Sequence, residues 1–82
     1  MIVHVTTASG ARYTFNRRDL SWTRYHHSID IHNFPSNSGD GVTKGMLVEW
    51  PAIIVGNRMM FDDTAVGTVY TTQIISAYMN LN

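Results

Sequence analysis

The stretch HHSIDIH, residues 26–32, holds three of the chain's four histidines and an aspartate. Imidazoles and a carboxylate this close suggest a metal site or an acid–base pair. Strand alternation would put His26, Asp30 and His32 on one face. Alternate residues on one strand face stand about 6.5–7 Å apart, so Asp30 and His32 could share a zinc or nickel ion. His26 and His32 would be about 20 Å apart and could not. His4 could complete a site only if the first and third strands were neighbours. No His-Glu-x-x-His spacing is present. The plainer reading is the solvated face of a strand, with His27 turned to the core and hydrogen-bonded there. No metal or other cofactor is assigned.

Other routes to catalysis are weaker. GDGVTKG, residues 39–45, has glycines and a lysine, but Lys44 precedes Gly45 and a strand should follow. A phosphate-cradling loop needs the opposite order and a helix. Asp62 and Asp63 are adjacent, so in a strand they would face opposite ways; a turn or cap role suits them better. There is no Gly-x-Ser-x-Gly elbow. Cysteine is absent, which excludes disulfides, thiolate zinc sites, iron–sulfur clusters and cysteine nucleophiles. The chain is expected to be no enzyme.

Two groups of residues point to binding instead. Arg12, Arg17, Arg18 and Arg24 are interleaved with Tyr13, Phe15, Trp22 and Tyr25. Arginines among aromatic rings bind single-stranded nucleic acid by phosphate contact and stacking. The candidate set is Arg12, Arg17, Arg18, Trp22 and Arg24. Six basic residues balance six acidic ones, so no broad positive field supports this, and nucleic acid is the disfavoured partner. Met46, Trp50, Met59, Met60 and Phe61 are the richest apolar group of the second half. Adjacent Met59 and Met60 cannot both face one core from a strand. With the unbroken apolar AIIV (52–55), they imply a closed barrel or a subunit interface. The expected interface residues are Trp50, Ile53, Met59, Met60 and Phe61.

The elements that carry these groups are short. The 82 residues make one domain, 1–82, with a modest core. IVHVTT (2–7), RYTF (12–15), WTRYHHSIDI (22–31), MLVEW (46–50), AIIV (52–55), RMMF (58–61) and TVYTTQIISAYM (68–79) read as strands. In the third, Thr23, Tyr25, His27, Ile29 and Ile31 are expected to face the core, with Trp22 and Arg24 on the wet side. Residues 16–21 read as a turn, 33–45 as the one long loop, GN (56–57) as a hairpin turn, and 62–67 as a polar turn. The fold class is all-β: a small antiparallel barrel or sandwich of roughly six or seven short strands. No run approaches the roughly 18 apolar residues of a membrane helix, and the N-terminus lacks signal-peptide character. No membrane association is expected.

VTTASGARYTF near the start and VEWPAIIVGNRMMF…GTVYTTQIIS near the end resemble small β-rich proteins encoded by bacteriophages of actinobacteria. The shared pattern is an N-terminal hairpin, a Trp-Pro, a Val-Gly hairpin and a threonine-rich last strand. It covers about half the chain and marks structure rather than catalysis. The resemblance implies a viral accessory or virion role, in the host cytoplasm or the particle. The expected function is non-enzymatic: protein–protein interaction, with a second copy or with a host or phage protein. The alternative is a small nucleic-acid-binding β-barrel using the Arg12–Tyr25 region.

Overall fold

The computed structural model describes residues 1–25 and 42–81. It is all-β, with strands β1 (Ile2–Thr7), β2 (Arg12–Asn16), β3 (Ser21–Tyr25), β4 (Val42–Met46), β5 (Arg58–Asp63) and β6 (Gly67–Asn80). They form one antiparallel sheet in the order β4-β3-β2-β1-β6-β5. The chain thus meanders from β1 to β4, crosses to β5, and returns along β6 to pair with β1. The 14-residue β6 is long enough to serve both partners. Its C-terminal half pairs with β1 and its N-terminal half with β5, through registers that each shift once. These irregularities are the local bends by which a twisted sheet curls.

Curling is driven by alternation. Val3, Val5 and Thr7 of β1 and Tyr13 and Phe15 of β2 are buried, while their neighbours in sequence are not. The core comprises Val3, Val5, Ala11, Tyr13, Phe15, Trp22, Leu47, Met59, Phe61 and Ile74. Phe61 is its hub. It meets Tyr13, Phe15 and Trp22 edge-on, with ring centroids 5.9, 5.3 and 5.0 Å away. Edge-to-face contacts of this kind add to the stabilisation from area burial. Trp50 packs edge-on against Phe15, under the Arg17 guanidinium.

The two sheet edges approach each other at a single bridge, Leu47 to Asp63. Val48 N–H donates to the Asp62 carbonyl and Thr64 N–H to the Met46 carbonyl, both at 2.9 Å. The sheet is therefore a partly closed barrel with a short seam among the described residues.

Three sequence expectations are corrected. First, β3 has the opposite parity. Trp22 is 4% exposed and faces the core, and Arg24 shares its side, lying over the Tyr13 ring. Thr23 and Tyr25 consequently face outward. Second, the fourth strand is Val42–Met46, not 46–50, so part of the expected loop is strand. Third, AIIV is not a buried strand. Residues 51–54 are irregular, Ile53 is half-buried, and Ile54 and Val55 are exposed. Pro51 lacks the N–H that a ladder would need. The expected turn at 16–21, the N-terminal hairpin and the long last strand are all observed. His26, His27, Asp30 and His32, and most of the 33–45 loop, lie outside the described residues.

Candidate interaction surfaces

Asp63, at the seam, accepts four hydrogen bonds. Its Oδ1 accepts from Trp22 Nε1 at 2.7 Å and from Met46 N–H at 2.9 Å. Its Oδ2 accepts from Ala65 and Val66 N–H at 2.8 and 2.9 Å. One carboxylate thus caps the β5–β6 turn, anchors the end of β4 and satisfies a buried indole. The N–H groups of Val66 and Ala65, then the Trp22 indole, hold its pKa below the ordinary carboxylate value. Gly45 makes room for this knot: a Cβ there would collide with Asp63 Oδ1 and with the Trp22 indole. Each oxygen is occupied by structural donors, so the knot is a clasp and not a reactive centre. The adjacent aspartates have the turn role expected of them, with Asp62 bonded to Thr68 Oγ1 at 2.7 Å.

A different surface lies outside β6, β1, β2, β3 and β4. Register places Tyr78, His4, Thr14, Thr23 and Lys44 in one row across it. Ser76, Thr6, Arg12, Tyr25 and Val42 form the next row. The His4 and Tyr78 rings stack at 4.7 Å with 26° between planes, and His4 Nδ1 lies 3.3 Å from Thr14 Oγ1. His4, Thr6, Arg12, Thr14, Tyr25 and Tyr78 border a cleft of about 300 Å³. None of these five strands contains an acidic residue. Among the described residues, the acids lie in the β2–β3 turn (Asp19) and in 49–63 (Glu49, Asp62, Asp63). Within a formally neutral chain, the described part of this face thus carries no acid.

The third surface is the outside of the β5–β6 ribbon. Met60 and Tyr70 are register partners there, exposed by 58% and 73%. Ile54, Val55 and Ile75 are also exposed, and the Gly56 N–H donates to the Ile74 carbonyl, which draws the 54–56 turn beside β6. Near the other end of β6, Met1, Val3, Trp50, Ile53, Ala77 and Met79 line an apolar groove of about 270 Å³.

The candidate residues therefore divide. Of the expected interface set, Met59 and Phe61 are core residues, Trp50 and Ile53 are half-buried beside the groove, and Met60 alone faces fully outward. Of the nucleic-acid set, Arg12, Arg17 and Arg18 are exposed, but Trp22 is sealed inside with its N–H given to Asp63. Arg24 is turned to the inner side, and its Nε is buried without a hydrogen-bond partner among the described residues. That set is not one surface. β2 lies between β1 and β3, so His4 has no strand neighbour in β3. No group of three or more metal-ligating side chains occurs among the described residues. Sequence reading missed Tyr78 and His4 as partners, since only the β1–β6 pairing joins them. No family model, curated protein or solved structure matches the chain.

Proposed function

We propose that the protein is a non-enzymatic interaction module that self-associates through the outer face of the β5–β6 ribbon. The observation that carries this reading is the Met60–Tyr70 pair. Two large apolar side chains stand opposite each other on adjacent strands, both more than half exposed. Clustered apolar exposure on a small domain marks an interaction site, whereas scattered exposure does not. Met59 and Phe61 turn inward from the same strand. The outward Met60 is thus not surplus core but a separate apolar position. A bacteriophage accessory or virion role in the infected cell is supported by the sequence resemblance alone.

Sedimentation velocity across micromolar concentrations tests the reading. The wild-type chain should sediment above its 9.3 kDa monomer mass, and Met60→Lys and Tyr70→Lys should each return it to a monomer that still folds cooperatively, with a melting temperature that no longer depends on concentration. A concentration-independent wild-type monomer would remove the proposal.

A further inference from the structure

We infer that the outer face of β6, β1, β2, β3 and β4 binds single-stranded nucleic acid. This is not the residue set the sequence suggested, because Trp22 and Arg24 face the other way. It is also a different surface from the Met60–Tyr70 face and does not depend on self-association.

The chemistry of this face is specific. Arg12 and Lys44 supply positive charge on strands free of any acid. Among the described residues, a polyanion therefore meets no acid on these strands, unlike the stretch that carries Glu49 and Asp62. Tyr78 is 65% exposed and is stacked on His4, which holds the tyrosine plane in place as a platform for a base. Tyr25 offers a second ring, one row along and three strands over. Three strand spacings are about 14 Å, a span that about two nucleotides of extended chain cover. Between the rings lie the hydroxyls of Thr6 and Thr14, suited to phosphate and sugar oxygens. A cleft of about 300 Å³ bordered by Tyr78, His4, Arg12 and Tyr25 lies along that span. An acidic peptide would use the charges but not the rings, and a duplex hides its base faces, so the combination favours an unpaired strand.

Anisotropy titration of labelled oligouridylate and oligothymidylate tests this. With two cations engaged, log affinity should fall against log salt with a slope of about −1.4. Lys44→Gln should make that slope shallower by about 0.7. Tyr78→Thr, which keeps a strand-forming residue, should weaken binding by between about five- and a hundredfold while the chain stays folded, its melting temperature lowered only by the loss of the stack. A duplex of the same length should bind less tightly than either single strand. Absence of saturable binding at low salt overturns the inference. So does a duplex or an oligoglutamate that binds as tightly as the single strand, together with indifference to Tyr78→Thr. That second pattern would assign the face to a purely electrostatic partner.

Discussion

The seam and the outer face of the meander use the same residue types to opposite ends. At the seam, an aromatic, a carboxylate and a glycine are locked together: Trp22, Asp63 and Gly45, with both carboxylate oxygens engaged. On the outer face, aromatics and polar groups stand in open rows, where the His4–Tyr78 stack and the His4–Thr14 contact tie neighbouring strands. A buried polar group must be satisfied or it destabilises the fold by its desolvation cost. The seam therefore has one workable geometry. The outer side chains keep water as an alternative partner, so their identities are free to serve a ligand. Stability should be concentrated at the first region and recognition at the second.

The largest effect that would break this contrast concerns Gly45. Its missing Cβ is filled by the Asp63 carboxylate and the Trp22 ring, both anchored. Ordinary overpacking costs about 1–3 kcal/mol, and here the neighbours cannot yield without parting the seam. Gly45→Val should leave the chain unfolded by near-ultraviolet circular dichroism, and Gly45→Ala should be severely destabilised. A Gly45→Ala melting temperature within a few degrees of the parent would show that the clasp is loose.

The next effect is a parity test within β5. Phe61→Ala removes the ring on which Tyr13, Phe15 and Trp22 converge, and should cost about 3–5 kcal/mol in urea unfolding. Met60→Ala, one residue away but 58% exposed, should fall within about 0.5 kcal/mol. Comparable losses at both positions would mean that β5 does not have one inner and one outer face.

Acid should dissect the clasp further. The pKa of Asp63 is held down by the Val66 and Ala65 N–H groups and the Trp22 indole. A carboxylate with a depressed folded pKa stabilises the fold above its unfolded value, near 3.8, and that contribution is lost as pH falls through the folded value. Asp19, lowered by the hydroxyl and then the backbone N–H of Ser21, adds in the same direction from an exposed turn. Urea midpoints should therefore drop below about pH 4. Asp63→Asn should be less stable at neutral pH, since an amide offers one acceptor oxygen where two are used, and its midpoint should vary less across the acid range. A pH profile for Asp63→Asn that runs parallel to the parent's would place the acid sensitivity elsewhere.

The same contrast explains what the sequence disclosed. Strands with local partners were legible: the 2–7 and 12–15 hairpin (observed as Ile2–Thr7 and Arg12–Asn16), the polar turn before β3 and the threonine-rich β6 follow from alternation and turn residues. The outer ribbon methionine was half legible, since adjacent methionines forced one outward without saying which. The seam was illegible because its logic is long-range. Trp22 looked solvent-facing beside Arg24, and nothing local shows that its N–H finds a carboxylate 41 residues later. Gly45 read as loop composition, whereas its absent side chain is what lets that contact form. Residues 52–55 looked like a buried strand by hydrophobicity, yet Pro51 and the crossing from β4 to β5 leave Ile54 and Val55 in solvent. The outer face was legible only in part: Arg12 and Tyr25 lay in the region singled out for nucleic acid, whereas β1 and β6 bring His4 to Tyr78 across the whole chain.

The smallest effect is the one that tests whether the outer face contributes to stability at all. His4 and Tyr78 are directly opposite in the β1–β6 register and stacked. Cross-strand pairs of this kind are worth about 0.2–1 kcal/mol relative to alanine. Tyr78 is mostly exposed and His4 only half-buried, so neither substitution opens a cavity. A double-mutant cycle of His4→Ala and Tyr78→Ala should thus give a coupling inside that narrow range, with each single variant remaining folded. Coupling near zero would mean that the rings are juxtaposed by the backbone but not held together, and the stacking platform would lose its rigidity. Coupling well above about 1 kcal/mol would make the pair a second clasp, and the division between a seam that holds the fold and a face that is free for recognition would fail.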